Sequence, residues 1–571
     1  MASFKETFSK ALLTLLVGQS AALSLFPGSN GNKLQLASVL GLDGHTARFN
    51  PEKIAEAALA SGPGAEIPIQ RTSVRLLLIP IDHDDPSVGT YQNRYWVSTD
   101  FYKPGGPVFV LDGGEDNAIS LAQAYLRGSN SFFVDFLKEF GAIGLVWEHR
   151  YYGDSLPFPV NLSTPTDHFK YLTNRQALAD IPYFADRFTL NGTDLSPKAA
   201  PWVMFGGSYP GMRAAFTRNE YPDSIFASFA MSAPVEAQVN MTIYYEQVYR
   251  GMVASGYGGC AKDLKAISDY IDSQLDKKGQ AADDIKSLFL GKEGIHNSNG
   301  DFTAALGGIY NLFQNYGVDG GISGLSALCK HLDGNATSTG IAPIIGAKKL
   351  TEKFSTWDEL MYLINGRNNN CKDQSNSTQI TCDLGGPSAD PDTISWTWQY
   401  CTQWGYLQAD NLGPHSLLSK YQSLEYQQSL CYRQFPGAKE SGLLPLQPDT
   451  NDTNAETGGW TIRPSNVFWS AGEFDPWRTL TPLSNETFAP KGVQITTDIP
   501  QCGVETPENV LFGYVIPDAE HCFDFDLDYK PADKSRKLFS DALKKWLPCW
   551  KGTHEPKRSH VRRTSLKYWQ A

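Results

Sequence analysis

The sequence predicts an α/β fold in which a mostly parallel sheet is interrupted by one large, mostly helical insertion. Two observations predict the sheet: apolar, β-branched runs recur along the chain, and stretches with helical spacing separate them. A third observation predicts the insertion, because helical segments and polar loops replace the strand pattern from Pro234 to about residue 455. The chain of 571 residues is long enough for a large α/β domain that carries such an insertion.

The elements before the insertion start at about residue 71. The runs VRLLLIPI and RYWVS predict an antiparallel pair, and GPVFVLDGG and AIGLVWEHR predict buried parallel strands that end in polar residues. Between the latter two, the run AISLAQAYLRGSNSFFVDFLKEF has helical spacing. WVMFGGSYPG then predicts a strand and a turn, MRAAFTRNEYP a helix, and IFASFAMSAPV the next strand.

The insertion and the last part of the chain complete the division into domains. CAKDLKAISDYIDSQL and FSTWDELMYLIN predict helices of the insertion, whereas NVFWSAGEFDPW and NVLFGYVIPDAEHC restore the strand pattern before a last helix, SRKLFSDALKKWL. The final segment holds six Lys or Arg against one Glu and has no apolar period, which predicts a disordered tail. The predicted parts are a signal peptide (1–22), an N-terminal segment (23–70), the first part of the sheet domain (71–235), the helical insertion (236–455), the second part of the sheet domain (456–550) and the basic tail (551–571).

Charge and the N-terminal residues bear on partners and compartment. A net charge of −12 and a pI of about 5.4 argue against a nucleic-acid partner, which needs a basic surface. Lys5 and Lys10 flank the start of a short apolar run, and Ser20 and Ala22 fit a small-x-small cleavage site. The run is too short and too interrupted to span a bilayer, so we predict a signal peptide, no membrane span, and a secreted or vacuolar/lysosomal protein.

Sequons and cysteines also indicate the secretory pathway. Seven N-x-S/T sequons are present, at Asn161, Asn191, Asn240, Asn335, Asn376, Asn451 and Asn485. All nine cysteines lie beyond residue 250, and their spacing matches no zinc site, which favours disulfides. An odd number leaves at least one thiol free or paired with another molecule, and the connectivity stays open. No metal or cofactor is expected.

The residues that carry chemistry follow strand ends in the order Ser, Asp, His. A serine hydroxyl needs a neighbouring base to become a nucleophile, and a histidine base needs a carboxylate to fix its tautomer. Ser208 follows WVMF, Asp475 follows NVFWSAGEF, and His521 follows YVIPDAE, which is the chain order of triads in α/β-hydrolases. The insertion occupies the long gap between Ser208 and Asp475.

Each member of this triad also has a plainer interpretation. Gly-Gly-Ser is common in turns, Asp475 precedes a proline and could start a turn, and His521 could be a hydrogen-bonded core histidine. His149 is a rival base, although its place before the nucleophile strand favours a structural role. The joint order and placement of the three residues favour catalysis.

Pro210 departs from the usual nucleophile elbow, which has glycine two places before and two places after the serine. The residue after the serine donates its N–H to the oxyanion, and Tyr209 keeps that group. Pro210 then falls at the first position of the next helix, where its missing N–H is harmless and its fixed φ is suitable. Gly211 can supply part of the small size needed where helix and strand cross.

Two further segments have candidate roles at the site. In VLDGGED, a second oxyanion N–H is expected from a residue of the turn, unless this is a plain strand-to-helix connection. The candidate donors are Gly113, Gly114 and Glu115. In EHRYYG, the charged residues at a strand end could form a buried network that shapes the pocket. These are Glu148, His149 and Arg150.

These motifs resemble the prolyl carboxypeptidase and dipeptidyl-peptidase II family of serine peptidases, which includes fungal prolyl endopeptidases. The segment EHRYYGDSLPF resembles the family's hallmark and is the most specific match, while GGED, GGSYPG and GEFDPW resemble its other motifs. HCFDFD is a looser match to the histidine segment. The resemblance covers roughly residues 70 to 550. Pro210, in place of glycine, and Glu520, just before the histidine, depart from the family pattern.

The resemblance implies an α/β-hydrolase fold with a large, mostly helical cap, and hydrolysis of peptide bonds next to proline. By carry-over, Ser208 is the nucleophile, Asp475 the orienting acid, His521 the general base, and Tyr209 an oxyanion donor, with Gly114 expected as the second. Residues expected in the substrate pocket or in its support are Glu115, Glu148, His149, Arg150 and Trp477. The partners implied are peptide substrates, and homodimer formation stays open.

The leading functional prediction is therefore a serine-type exopeptidase, acting as a dipeptidyl-peptidase or a Pro-Xaa carboxypeptidase. The alternatives are a proline-specific endopeptidase, or a classical serine carboxypeptidase or esterase, which shares fold and triad order but does not explain EHRYYGDS or FDPW. From another class, a non-catalytic binding protein with this fold stays open, although such proteins lose the triad.

Overall fold

The structure is a computed structural model that describes residues 74–128, 130–320, 324–333, 339–365, 369–373, 381–411 and 413–552. The predicted signal peptide, the N-terminal segment and all but the first two residues of the basic tail lie outside these ranges. Within the described ranges, no helix combines the length and the apolar character needed to cross a lipid bilayer.

A nine-stranded sheet forms the centre of the molecule, with strand order β1-β2-β4-β3-β7-β8-β11-β13-β12. The described strands are β1 (Val74–Pro80), β2 (Thr90–Ser98), β3 (Val108–Asp112), β4 (Ile143–Trp147), β5 (Thr189–Leu190), β6 (Thr193–Asp194), β7 (Trp202–Gly207), β8 (Ala227–Met231), β9 (Gln238–Asn240), β10 (Gly405–Leu407), β11 (Val467–Gly472), β12 (Gln494–Thr496) and β13 (Val510–Ile516). β1 and β2 pair antiparallel, as predicted, with Val74 opposite Trp96. In the sheet order given above, the seven strands from β4 at one end to β12 at the other run parallel to one another. The carboxyl ends of the parallel strands therefore meet at one edge.

Helices cover both faces of the sheet, and a further group forms the cap. The described helices are α1 (Ile119–Arg127), α2 (Phe132–Phe140), α3 (Asn174–Ala185), α4 (Tyr209–Glu220), α5 (Ile243–Ala254), α6 (Gly258–Lys277), α7 (Gly279–Leu290), α8 (Asn299–Gly307), α9 (Phe313–Tyr316), α10 (Leu325–Asp333), α11 (Ala342–Ile345), α12 (Ala347–Phe354), α13 (Asp358–Asn365), α14 (Pro391–Gln399), α15 (Leu424–Gln434), α16 (Thr450–Thr457) and α17 (Asp533–Trp546). Those from α5 to α16 lie between β8 and β11, which is the place of the predicted insertion. The chain thus has an α/β-hydrolase fold with a mostly helical cap.

The helical run between β3 and β4 differs from a single helix. α1 ends at Arg127, and α2 begins at Phe132 after Ser131, whose hydroxyl accepts from the N–H of Val134 at 3.2 Å. A serine at this position satisfies a free N–H of the new helix, so a second start is favoured over continuation. Periodicity alone does not show this break, because both helices bury apolar side chains on the same side of the sheet.

Aromatic packing holds the sheet between its helical layers. On one face, Phe205 of β7 and Phe229 of β8 contact Phe539 of α17 and belong to a buried cluster that includes α1 and α2. On the other face, Trp202 contacts Phe184 of α3 edge-on. Each fully buried large apolar side chain contributes about 1.5–3 kcal/mol. This packing fixes the strand ends from which the candidate site is built.

Four disulfides pair eight of the nine cysteines and leave Cys522 free. The pairs are Cys260–Cys329, Cys371–Cys382, Cys401–Cys431 and Cys502–Cys549. The first three lie in the cap, and the fourth ties the segment between β12 and β13 to the end of α17. The disulfide prediction is confirmed, and the odd thiol is identified.

Five predicted glycosylation positions can be placed. Their asparagines are exposed, as a glycan on the folded chain requires. These are Asn161, Asn191, Asn240, Asn451 and Asn485. Asn335 and Asn376 lie outside the described residues. Glycosylation itself stays a prediction.

Candidate active site

Ser208 lies at the sharp turn between β7 and α4, where the sequence predicts a nucleophile. Its backbone adopts φ 67° and ψ −132°, a conformation that a residue with a side chain rarely takes. The turn is held by the N–H of Ser208, which donates to the carbonyl of Met231 at the end of β8. Such strain persists only where the surroundings enforce it, and it is the hallmark of a nucleophile elbow.

Pro210 is accommodated because its neighbours are glycines. The helix begins at Tyr209, one residue earlier than predicted, so Pro210 occupies the second helical position, where an N–H would also lack an intrahelical acceptor. A Cβ on Gly114 would lie 2.5 Å from Cγ of Pro210, so the proline ring packs directly on that glycine. A Cβ on Gly211 would lie 2.6 Å from the carbonyl oxygen of Met231. Gly211 thus meets the need for a small residue at the crossing of helix and strand.

Asp475 and His521 are brought together across neighbouring strands. Asp475 follows β11, and its Oδ1 accepts from the N–H of Trp477 at 2.8 Å and from Nδ1 of His521 at 2.9 Å. Both side chains are buried, with exposures of 0% and 4%. The Nδ1 bond places the proton on that nitrogen and leaves Nε2 as the basic atom. The predicted pairing of acid and base is therefore present.

The Nε2 atom of His521 is buried and accepts no hydrogen bond from any described residue. Ser208, half-buried and at the end of β7, does not reach it within hydrogen-bond distance. Catalytic contacts of this kind are often longer in a free enzyme and shorten in complex with substrate. The structure thus brings Asp475 and His521 into contact and places Ser208 at the end of β7, at the same edge of the sheet and separated from β11 by β8.

The environment of His521 raises its pKa. Burial alone would lower the pKa, but the carboxylate of Asp475 and, after it, the side chain of Cys522 favour the charged imidazolium and together outweigh burial. The free thiol of Cys522 follows directly and has its own pKa raised by burial. A Cβ on Gly207 would lie 2.9 Å from Sγ of Cys522, so the thiol borders the residue that precedes Ser208.

The loop after β3 differs from the expectation for the second oxyanion donor. The N–H of Gly114 donates to Oδ1 of Asp112 at 3.1 Å, and the N–H of Gly113 donates to the carbonyl of Trp147 at 2.7 Å. Asp112 forms a buried ion pair of 2.7 Å with Arg213 of α4, which explains why it holds this loop. The N–H groups of Gly113 and Gly114 are therefore committed to bonds with other residues, whereas the N–H of Glu115 bonds the carboxyl of the same residue.

Glu115 is a buried carboxyl on which the charges of His521 and Arg213 act. Burial raises its pKa to about 8, aided by the negative charge of Asp112 and opposed by a hydrogen bond from its own backbone N–H and by the positive charges of His521 and Arg213. At neutral or acidic pH this side chain is consequently uncharged. A neutral carboxylic acid at this position can donate as well as accept a hydrogen bond.

Glu148 of the EHRYYG segment is the centre of a charged network that supports the same loop. Its carboxylate accepts from Arg94 Nη2 and Nε at 2.6 and 2.8 Å, and from the hydroxyl of Ser155 at 2.6 Å. It also accepts from the N–H of Ala118 at 3.1 Å, at the start of α1. Glu148 is fully buried, so its role is support rather than contact with a substrate.

Arg150 and His149 are fully buried as well. Arg150 binds Asp180 of α3 through two bonds of 2.6 and 2.7 Å, and this guanidinium holds the pKa of Asp180 down at about 2 although burial opposes it. Burial, with the charges of Arg213 and Arg150, lowers the pKa of His149 well below its ordinary value. His149 contacts the hydroxyl of Tyr209 and a backbone carbonyl, and no described carboxylate orients it as a base.

The cap supplies side chains that sequence reasoning missed. Gln314 of α9 accepts from the indole N–H of Trp477 at 2.7 Å, and its backbone carbonyl accepts from the N–H of His521 at 3.0 Å. Gln399 of α14 bonds the hydroxyls of Tyr209 and Tyr152. Nothing in their local sequence marks these glutamines, because their partners lie far away in the chain. Trp477 is 2% exposed and is therefore a supporting residue.

Comparison with known proteins identifies the family. Residues 80–495 match the family model described as Serine carboxypeptidase S28, which covers well over half of the chain. The chain belongs to the S28 family of serine peptidases. The predicted resemblance is thereby confirmed. In the part of this S28 chain that the structure describes, no group of three His, Cys, Asp or Glu side chains is placed to hold a metal ion.

Relatives of this S28 chain include fungal and animal proteins. It is 28% identical to the Thymus-specific serine protease of Mus musculus over 86% of this chain and 89% of that protein. It is 27% identical to the Probable extracellular serine carboxypeptidase of Arthroderma benhamiae over 70% of this chain, but the match spans only 58% of that relative. Among solved structures, the Proline iminopeptidase of Mycobacterium smegmatis aligns at 11% identity and a TM-score of 0.31, over 82% of this chain and 99% of that one.

Proposed function

We propose that this chain is an exopeptidase that cleaves peptide bonds next to proline through an acyl-enzyme. The observation that carries the proposal is the bond between Nδ1 of His521 and Asp475, which leaves Nε2 buried and without a hydrogen bond in the described part of the chain. The next residue, Cys522, borders Gly207 at the strained turn of Ser208. Membership of the serine peptidase family supports it. The names of the relatives describe serine carboxypeptidases and serine proteases.

In the proposed first step, Nε2 of His521 takes the proton of the Ser208 hydroxyl as Oγ attacks the carbonyl carbon of the peptide bond. The resulting oxyanion accepts from the N–H of Tyr209, which lies in the first turn of α4 and has no intrahelical acceptor. The imidazolium, stabilised by Asp475, then gives its proton to the leaving amine, and the C–N bond breaks. Ser208 is left as an ester.

In the proposed second step, water attacks this ester while Nε2 of His521 takes one of its protons. The second tetrahedral intermediate collapses, His521 returns the proton to Oγ, and the acid product leaves. We place the second oxyanion donor on the main-chain N–H of Glu115, because the N–H groups of Gly113 and Gly114 are bonded to other residues. The N–H of Glu115 bonds the carboxyl of the same residue, and it would exchange that bond for one to the oxyanion.

Labelling with a fluorophosphonate tests the nucleophile. The wild-type chain should be labelled, and Ser208→Ala should stay unlabelled while its circular dichroism spectrum is unchanged. Absence of labelling in the folded wild-type protein would sink the proposal and favour a binding protein. Replacing His521 by Gln should also abolish peptide hydrolysis, and full activity in that variant would exclude His521 as the base.

Product analysis tests the exopeptidase assignment. One proline-containing peptide is offered in three forms: with free ends, with a blocked N-terminus, and with a blocked C-terminus. A dipeptidyl-peptidase should not cleave the form blocked at the N-terminus, and a Pro-Xaa carboxypeptidase should not cleave the form blocked at the C-terminus. Equal cleavage of all three forms would contradict the exopeptidase proposal and indicate an endopeptidase.

Passage through the secretory pathway is also proposed. Four disulfides and five exposed sequon asparagines favour an oxidising compartment, and the name of the Arthroderma benhamiae relative describes an extracellular protein. Mass spectrometry of the protein from its native host tests this through the mature N-terminus and the glycans. Homodimer formation stays a prediction that sedimentation velocity would test.

A further inference from the structure

One cap helix, α14, rests on the catalytic core through side chains of a single face. Near its start, the carboxylate of Asp392 accepts from the backbone N–H groups of Asn117 and Gly153, each at 3.1 Å. One turn on, the hydroxyl of Ser395 donates to the carbonyl of Tyr151 at 2.8 Å. Asn117 follows the loop of β3, and the other two partners belong to the EHRYYGDS segment. The first turns of α14 therefore hold the loop that we propose to carry the second oxyanion donor.

The last residue of α14, Gln399, lies on the same face and contacts the elbow. Its Nε2 donates to the hydroxyl oxygen of Tyr209 at 2.8 Å, and the hydroxyl of Tyr152 donates to its Oε1 at 2.5 Å. Gln399 is fully buried. A π-helical turn starts directly after it, at Tyr400, and such turns are frequent at functional sites.

The direction of every bond in this chain can be worked out from His149. Its Nδ1 lies 2.6 Å from the carbonyl of Arg150, which can only accept, so Nδ1 carries the proton. Burial lowers the pKa of His149, so the ring is neutral and its Nε2 is an acceptor. Tyr209 must therefore donate its hydroxyl proton to Nε2, at 3.0 Å, and its oxygen accepts from Gln399.

This order requires an amide at residue 399. The side chain must accept from Tyr152 and donate to Tyr209 at once, and a carboxylate can only accept. Buried polar chains are stable when every member is satisfied and costly when one is not. If residue 399 can no longer donate, the hydroxyl oxygen of Tyr209 loses its donor, and a carboxylate there would compete with His149 for the hydroxyl proton. The disturbance falls on the residue whose backbone N–H we propose to bind the oxyanion.

We propose that Gln399 is a positioning residue for the reaction: from the cap, it fixes the side chain of Tyr209 and so the aim of the Tyr209 N–H at the oxyanion. This inference rests on the proposed function, because it assumes that Tyr209 is an oxyanion donor. The species whose stabilisation depends on Gln399 is the tetrahedral intermediate. Gln399 does not touch it and acts only through Tyr209.

Wild type and variants share the titratable groups around Gln399, so the ratio of their kcat values cancels the titration of those groups. Burial raises the pKa of Tyr152 and of Tyr209, and it lowers that of His149. Of the charged groups near them, Arg213 and Asp112 form an ion pair, and Asp116 acts on Tyr152. Burial raises the pKa of Asp392, on α14 itself, to about 6 and that of Glu115 to about 8, so both titrate in wild type and variants alike. A pH dependence that appears only after substitution at residue 399 therefore reports on the new side chain.

The test is the variant Gln399→Glu, assayed for kcat and KM from pH 4 to pH 8 with wild type alongside. At low pH the new carboxyl is protonated and donates to Tyr209, so kcat should approach the wild-type value. As this carboxyl ionises, kcat should fall about 10- to 100-fold relative to wild type with KM little changed, since a misaimed oxyanion donor affects the transition state. Gln399→Leu should be impaired to a similar extent at every pH.

Gln422→Glu is the matched control. Gln422 is another buried cap glutamine, whose Nε2 donates to Gly300 and Thr303 and not to the core. Its kcat should equal that of wild type at each pH where it is folded. A constant ratio of kcat between Gln399→Glu and wild type across pH would overturn the inference.

Tyr209→Phe carries the test if Gln399→Glu does not fold. It keeps the backbone N–H and removes the hydroxyl, so kcat should again fall with KM little changed, and an unchanged kcat would overturn the inference. Labelling of wild type by the fluorophosphonate distinguishes failure of the inference about Gln399 from failure of the proposed function. If wild type is labelled but these variants behave as wild type, only the role of Gln399 fails, whereas an unlabelled wild type removes the proposed function.

Discussion

Asp475 and His521 determine the pH dependence that we expect of the reaction. The base must be neutral in the free enzyme, and Asp475 raises the pKa of His521 against the effect of burial. The value of kcat/KM should therefore rise with pH through the pKa of His521. Asp475→Asn should lower kcat/KM by about 10⁴-fold at neutral pH, the loss seen for this change in another serine peptidase, and should move the acid limb to lower pH.

A series of kcat/KM measurements against pH checks this prediction. Asp269→Asn is the control, because Asp269 is an exposed residue that pairs with Lys265 on the surface of α6. Its profile should coincide with that of wild type. An acid limb that stays in place in Asp475→Asn would show that another group sets the protonation state of the base.

Glu115 gives a prediction about stability. Its folded pKa is raised to about 8, so the folded state prefers the protonated carboxyl. This contribution is fully present below the pKa of an unfolded Glu, about 4.3, and is lost as pH rises through the folded pKa. Glu115→Gln should therefore match the Tm of wild type at pH 4 and exceed it by several degrees at pH 9. Glu440→Gln, at an exposed residue, should show no such difference.

At the scale of elements, the crossing of β7, β8 and α4 leaves no room at Gly211. The nearest atom to a new Cβ is a backbone oxygen, at 2.6 Å, and it cannot rotate away as a side chain would. Gly211→Ala should lower the free energy of unfolding by about 1–3 kcal/mol and slow fluorophosphonate labelling, because relief of the contact must move the elbow. Denaturant unfolding and labelling rates measure the two effects.

Gly386→Ala is the matched control for this substitution. Nothing lies within 4 Å of a Cβ at Gly386, and this residue belongs to the cap, ahead of α14. Its unfolding free energy and labelling rate should both equal those of wild type. A Gly211→Ala variant that is as stable as wild type would contradict the close approach of helix and strand.

The strand ends could be predicted from sequence because the signal is local. A buried strand followed by Gly-Gly-Ser and a helix start is written in consecutive residues, and so are the segments that carry Asp475 and His521. The bond that occupies the N–H of Gly114 could not be predicted from sequence. Asp112 accepts from this N–H while it pairs with Arg213, which lies about 100 residues later in the chain, on α4. The role of Gln399 was equally hidden, because its partner Tyr209 lies 190 residues away.

At the scale of the whole molecule, the cap contacts the core through α14, and three disulfides close loops within the cap. Cys401–Cys431 links the π-helical turn after Gln399 to α15 and closes a loop with a sequence separation of 30. Chain-entropy arguments give a loop of this size about 3–4 kcal/mol of stabilisation. The double variant Cys401→Ala/Cys431→Ala should have a lower Tm and a lower kcat, because the turn that follows Gln399 is then less restrained.

Cys371→Ala/Cys382→Ala is the comparison for this variant. That disulfide closes a shorter loop, with a sequence separation of 11, and joins neither the π-helical turn nor α15. We expect a smaller fall in Tm and an unchanged kcat. Equal losses of kcat in both double variants would indicate that the cap responds as a whole rather than through the turn beside Gln399. Calorimetry and peptide hydrolysis supply the two readouts.

The insertion of the cap between β8 and β11 has a consequence for the timing of biosynthesis. Ser208 is synthesised early, but Val467 of β11 pairs with Ser228 of β8 only after the whole cap has been made. His521 follows later still, on the segment after β13. A nascent chain carries the serine without its base for most of translation, and a hydroxyl without a base is inert. Hydrolysis by the proposed triad therefore requires synthesis as far as residue 521, which is 313 residues after Ser208 (521 − 208).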